Sequence, residues 1–145
     1  MAAYTSKQYA NAPKAFVGGA DANMLAFYWE VSLTAAAANL DTFTFGTVPK
    51  GFQVFGGCLE STDIDTNGAP TVTLNIGDSG SATRLFAAST VGQAGTADRA
   101  LAVAGQHYTY TDDTVITGII PTGPATGATG TLTLSLYGRF VGPNS

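Results

Sequence analysis

Ionised side chains are the scarcest component of this sequence. Asp, Glu, Lys and Arg make up 11% of the 145 residues, against about 25% in an ordinary soluble domain. A surface so poor in charge is covered by hydroxyls, methyls and bare backbone, and it is weakly protected against association. Much of it is therefore expected to face other protein copies. The cations Lys7, Lys14, Lys50, Arg84, Arg99 and Arg139 are dispersed. Neutralising phosphates takes grouped positive charge, so direct binding of nucleic acid is not expected. The net charge is −4 and the pI about 4.5. One cysteine, Cys58, allows no intrachain disulfide. It suits assembly in a reducing compartment and reads as a small buried hydrophobe. One histidine, His107, and one cysteine cannot supply the ligands of a zinc site. No apolar run approaches a membrane span. The polar start, residues 1–7, lacks the apolar centre of a signal peptide.

Glycine, threonine and alanine fill the space that charge leaves, with 18 glycines in all. The length suits one domain that needs no covalent staple. Strict alternation begins at Leu25: Phe27, Trp29, Val31 and Leu33 share one face, while Tyr28, Glu30 and Ser32 share the other. That period of two is the mark of a half-buried strand. Similar patterns cover residues 41–45, 52–59, 71–76 and 131–141. The last is the clearest, with Leu132, Leu134 and Leu136 against Thr131, Thr133, Ser135 and Tyr137. Val48-Pro49-Lys50-Gly51 suits a type I turn, and Gly56-Gly57 inside a strand marks a bulge or bend. Residues 84–88 are expected to form a helical turn, and residues 106–111 and 114–120 a hairpin. The pattern predicts an all-β fold, an antiparallel β-sandwich or jelly roll. An extended N-terminal arm, residues 1–24, precedes the sandwich, residues 25–145. Tyr4, Tyr9, Phe16 and Val17 give the arm apolar anchors for a partner.

The motifs that can carry chemistry are incomplete. Gly77-Asp78-Ser79-Gly80 resembles the segment around the nucleophile of chymotrypsin-like serine proteases. His107 follows the serine instead of preceding it, however, and turn chemistry accounts for the four residues. Asp63-Ile64-Asp65-Thr66-Asn67-Gly68 matches the first half of a Ca²⁺ loop, which makes Asp63, Asp65 and Asn67 weak metal candidates. The closing acid of that loop is missing, because Leu74 stands at its place. Tyr28, Trp29, Tyr108, Tyr110 and Tyr137 are aromatics at strand spacing. They suit core or subunit interface better than a sugar platform. No catalytic residue and no cofactor is expected.

One stretch brings a family into view. It runs Phe43-Thr44-Phe45-Gly46-Thr47-Val48-Pro49-Lys50-Gly51-Phe52-Gln53-Val54, then a polar loop, then Thr73-Leu74-Asn75-Ile76-Gly77-Asp78, followed by Arg84-Leu85. With its Val-Pro-x-Gly turn and its Gly-Asp strand end, it resembles the head decoration, or cement, proteins of tailed bacteriophages. The segment from Gly105 to Phe140 is similar too. The resemblance implies a structural virion protein on the outer capsid surface, assembled in the host cytoplasm. It implies the major capsid protein and neighbouring copies as partners, commonly in a homotrimer that stabilises the shell. Residues 91–105 and 121–130 are then candidates for trimer contacts. A tail or fibre-associated protein is the nearest alternative, and a carbohydrate-binding module is the alternative from a different class.

Overall fold

The computed structural model describes residues 1–6 and 24–141. Among them lie nine strands: β1 (Ala3–Thr5), β2 (Met24–Leu33), β3 (Thr42–Val48), β4 (Phe52–Ser61), β5 (Thr73–Gly77), β6 (Phe86–Ser89), β7 (Ala97–Asp98), β8 (Thr114–Thr122) and β9 (Gly130–Phe140). A 5-stranded sheet has the order β1-β3-β8-β5-β6, and a 4-stranded sheet the order β2-β9-β4-β7. The pairings are antiparallel except for β1, which lies parallel to β3. The all-β sandwich expected from the alternation is the observed fold.

The alternating residues do what their period demands. On β9, Leu132, Leu134 and Leu136 are buried, while Thr131, Thr133 and Ser135 point away from the core. On β2, Trp29, Val31 and Leu33 are buried. These two strands pair in unbroken register from Met24↔Arg139 to Leu33↔Gly130. Facing them across the sandwich are Phe43 and Phe45 of β3, Leu74 and Ile76 of β5, and Ile116 and Ile120 of β8, all fully or almost fully buried. Each such side chain contributes roughly 1.5–3 kcal/mol when taken out of water. Phe27 stacks on Trp29 at 5.2 Å and meets Phe52 edge-on at 5.0 Å. Gly46 sits at a register shift of β3. A Cβ there would run into the Trp29 indole, so the bulge makes room for the ring. The double glycine of β4 accompanies another register shift, between Val54 and Gly56, and β5 carries further ones against β6 and β8.

Four local expectations give way. The turn after β3 lies one residue later than the sequence places it: Phe52 N–H donates to the Pro49 carbonyl at 3.1 Å. Gly51 has φ +92°, the left-handed geometry a type II turn reserves for glycine. Residues 84–88 are not helical. Phe86–Ser89 is an edge strand on β5, because burying Leu85 and Phe86 outweighs local propensity. Residues 106–111 do not pair with β8. They run along β4, where Val54 N–H donates to Tyr108 O at 2.9 Å and Tyr110 N–H to Phe52 O at 2.9 Å. The Asp112-Asp113 link then carries the chain across to the other sheet. Cys58 is half-buried on the outward side of β4 instead of in the core. Its thiol lies 3.6 Å from the Glu60 carboxylate.

The N-terminus is docked. Thr42 N–H donates to Ala2 O at 2.9 Å, and Ser6 N–H donates to Thr44 O at 2.6 Å. The Asp41 carboxylate accepts from Ala2 N–H at 2.7 Å and from Ala38 N–H at 3.0 Å. Ser6 Oγ donates to the Phe45 carbonyl, and the residue is fully buried. The first six residues of the segment read as an arm thus complete the margin of a sheet.

Candidate interaction surface and polar clusters

The two sheets present unlike outer faces. β3, β5 and β8 turn Thr42, Thr44, Thr73, Asn75, Thr117 and Ile119 outward. Thr47 and Val115 share this side, and among the described residues of these three strands none that faces outward is ionised. The outer face of the other sheet is built from β2, β9 and β4. It shows Met24, Ala26, Tyr28, Glu30 and Ser32, then Thr131 to Arg139 at alternate positions, then Gln53, Phe55, Cys58 and Glu60. Tyr28 is 56% exposed, Tyr137 50% and Met24 60%. Register places Tyr137 opposite Ala26 on one side and Gly56 on the other. A Cβ at Gly56 would collide with the Tyr137 ring, so the missing side chain seats the phenol. Phe55 meets His107 edge-on at 5.9 Å, extending the aromatic strip past the β4 margin. His107 holds φ +61° in a turn, not the strand geometry expected of it. Arg139 Nε donates to Gln53 Oε1 at 2.7 Å, so the cation of this face is tied to the sheet.

At one end of the sandwich, Arg84 bridges Asp78, with Nε to Oδ2 at 2.6 Å, and lies 3.7 Å over the Tyr108 ring. Tyr108 packs edge-on against Tyr110 at 4.9 Å. Asp78 Oδ1 also accepts from Gly80 N–H at 2.9 Å and Ser81 N–H at 3.0 Å. Burial works to raise the Asp78 carboxyl, but the Arg84 and backbone hydrogen bonds outweigh it and hold it below its ordinary value. Burial first, then the Asp78 charge, pushes the Tyr110 hydroxyl far upward. These groups and Asp112, Asp113 and Thr114 line an open cleft of 540 Å³. Ser79 lines it too, while His107 is not among the lining residues. The Gly77–Gly80 motif thus works as an Asx turn that positions a charge pair.

The residues read as a partial Ca²⁺ loop are placed together but turned to another task. Asp65 is fully buried. Its Oδ2 accepts from Thr71, Val72 and Ala125 N–H at 2.7, 3.1 and 3.0 Å, and its Oδ1 from Thr126 and Asn67 N–H at 2.9 and 3.4 Å. Desolvation works to raise the carboxyl; the backbone donors outweigh it and hold it far below the usual carboxylate range. Asp63 Oδ1 accepts from Asp65 N–H at 3.1 Å, and Asn67 Oδ1 from Ala69 N–H at 2.9 Å. Lone pairs that a cation needs are thus directed at N–H groups, and Asp65 clamps residues 65–72 to residues 125–126.

Tyr4, the one anchor of the expected arm within the described residues, is half-buried and stacks on Phe43 at 5.8 Å. Tyr9, Phe16 and Val17 lie outside the described residues. Of the aromatics weighed as a platform, Trp29 and Tyr110 are core, Tyr108 lies beneath Arg84, and Tyr28 and Tyr137 share the outer face.

Neither a protein-family profile nor a curated protein matches the chain. Solved structures do. A chain of the cyanophage Pam1 capsid asymmetric unit is 38% identical, with a TM-score of 0.75, over 90% of this chain and 95% of that chain. A chain of the capsid of Ralstonia phage GP4 is 30% identical, with a TM-score of 0.83, over 97% of this chain and 100% of that chain. The protein belongs to a family of phage capsid-associated structural proteins. Identity at this level over nearly whole chains carries the capsid association as well as the fold. In a capsid-associated chain, sparse charge and an exposed aromatic face have a physical use. Both suit contact with protein neighbours, where each ionised group taken from water needs a partner. Sequence reasoning found Tyr28 and Tyr137 as outward residues. It missed Phe55 and His107, because their contact depends on residues 107–110 lying beside β4.

Proposed function

We propose that the protein decorates the outer surface of a tailed-phage capsid and stabilises the shell through protein–protein contacts, contributing contact area and not catalysis. The observation that carries this reading is the likeness, over almost the whole chain, to chains of two phage capsids. The charge content of 11% supports it. So does the concentration of exposed Tyr, Phe and Met on one sheet face. In this reading the partners are the major capsid protein and further copies of this chain in a homotrimer, assembled on the shell in the host cytoplasm. Residues 91–105 and 121–130 are the loops proposed for copy–copy contact. Tyr9, Phe16 and Val17 are the proposed anchors on a neighbour, and Tyr4 fixes the base of that segment to β3.

The test is to add purified protein to shells of the same phage that lack it. The expected outcome is saturable co-sedimentation and a higher temperature of shell disruption. A chain that stays in the supernatant at every concentration overturns the reading.

A further inference from the structure

The outer faces of the two sheets differ in a way that assigns them different tasks. Met24, Tyr28, Phe55 and Tyr137 belong to one face, whereas the other exposed large apolar residues, Met1, Leu40 and Val103, are scattered. Tyr and Met are enriched in the buried centres of protein interfaces, and tyrosines recur among the residues that carry binding energy. The opposite face offers threonine hydroxyls, which pack weakly and stay hydrated.

We propose that the outer face of the β2-β9-β4 sheet, centred on Tyr28 and Tyr137, seats on the capsid shell protein. The inference rests on the capsid reading above and specifies which surface serves it. Size agrees with it. The 10-residue strands β2 and β4 and the 11-residue β9 are about 33 Å long. Together with the flanking 107–110 segment they span about 15–20 Å, which gives on the order of 500 Å² of flat face. Protruding tyrosines and the rim bring this toward the ~800 Å² per partner of a specific interface. Charge sets the chemistry of the partner surface. The face bears Glu30, Glu60 and Arg139, the last held by Gln53, and Asp98 and Arg99 stand at its β4 margin beside Cys58. The exposed carboxylates Asp63, Asp112 and Asp113 lie on loops outside it. Seating this face takes the charged groups on it out of water along with the tyrosines, so its complement is a shell surface that brings hydrogen-bond partners for them.

The co-sedimentation assay tests this with Tyr28→Lys/Tyr137→Lys in the full chain. Thr47→Lys/Thr73→Lys, on the opposite sheet, serves as the matched charge control. Melting temperature and circular dichroism establish that each variant is folded. Should the double variant fail to fold, the single changes Tyr28→Ser and Tyr137→Ser replace it. Expected is shell affinity reduced about tenfold or more for the tyrosine variants, with the control near wild type. Unchanged shell affinity in folded tyrosine variants overturns the inference while leaving the capsid reading intact. A change in oligomeric state without loss of shell binding also overturns it, and identifies the face as a contact between copies. Failure of the wild-type chain itself to bind removes the capsid reading and this inference with it.

Discussion

Asp65 shows how a carboxylate can look like a ligand and act as a clamp. Its two oxygens collect backbone N–H groups from both sides of a loop pair. Asn offers one acceptor oxygen and would turn an NH₂ group toward donors, so Asp65→Asn loses the clamp while keeping the shape. The pH dependence follows from the depressed pKa. Below about pH 4, the unfolded carboxyl takes up a proton that the native one refuses. Stability from this group is complete above the unfolded value and is lost as pH falls toward the folded one. Thermal melts between pH 7 and pH 2 are expected to show the melting temperature falling below about pH 4. Asp65→Asn is expected to melt lower at pH 7 and with a shallower acid decline. An equal decline in wild type and variant would assign acid sensitivity to other groups; Asp78, also depressed, is the next in line.

At the scale of elements, legibility in the sequence tracked the strength of alternation. β2 and β9 could be read almost to the residue, because large apolar side chains recur at every second position along them. The β4 irregularity was legible from Gly56-Gly57. Phe86–Ser89 and residues 106–111 were not, since what decides them is distant. Leu85 and Phe86 turn inward because β5 stands beside them, and Thr109 bridges Gln53 of another strand. The face bearing Tyr28 and Tyr137 could be read from strand parity, whereas the Asp78–Arg84–Tyr108 cluster needed the fold to bring its parts together. β1 could not be foreseen at all: a strand of 3 residues has no period to read. Its role is nevertheless testable. Deleting residues 1–6 uncovers Phe43, strips one donor from Asp41 and bares the β3 edge. We expect a loss of roughly 2–4 kcal/mol from the half-buried aromatic and the hydrogen bonds that β1 makes to β3 and Asp41. A rise in aggregation on light scattering should accompany it. Unchanged chemical-denaturation midpoints would mean that β1 contributes nothing to the sandwich.

At the scale of the whole molecule, the two outer faces differ in their exposed aromatic side chains. Its core resembles that of any sandwich of this size, with leucine, isoleucine and phenylalanine closing the space between the sheets. Its exterior is the unusual part. One face is dominated by threonine and the other carries tyrosines in the open, while three carboxylates are spent inside. Asp65 and Asp41 hold backbone, and Asp78 holds Arg84. The exposed Met24, Tyr28, Phe55 and Tyr137 on one face suit a subunit that meets protein on that side. Electron cryomicroscopy of the intact phage tests this most directly. The account predicts many copies of this sandwich on the capsid exterior, with the β2-β9-β4 sheet toward the shell and the threonine face toward solvent. A chain confined to the tail, or seated with its tyrosines in solvent, would contradict it.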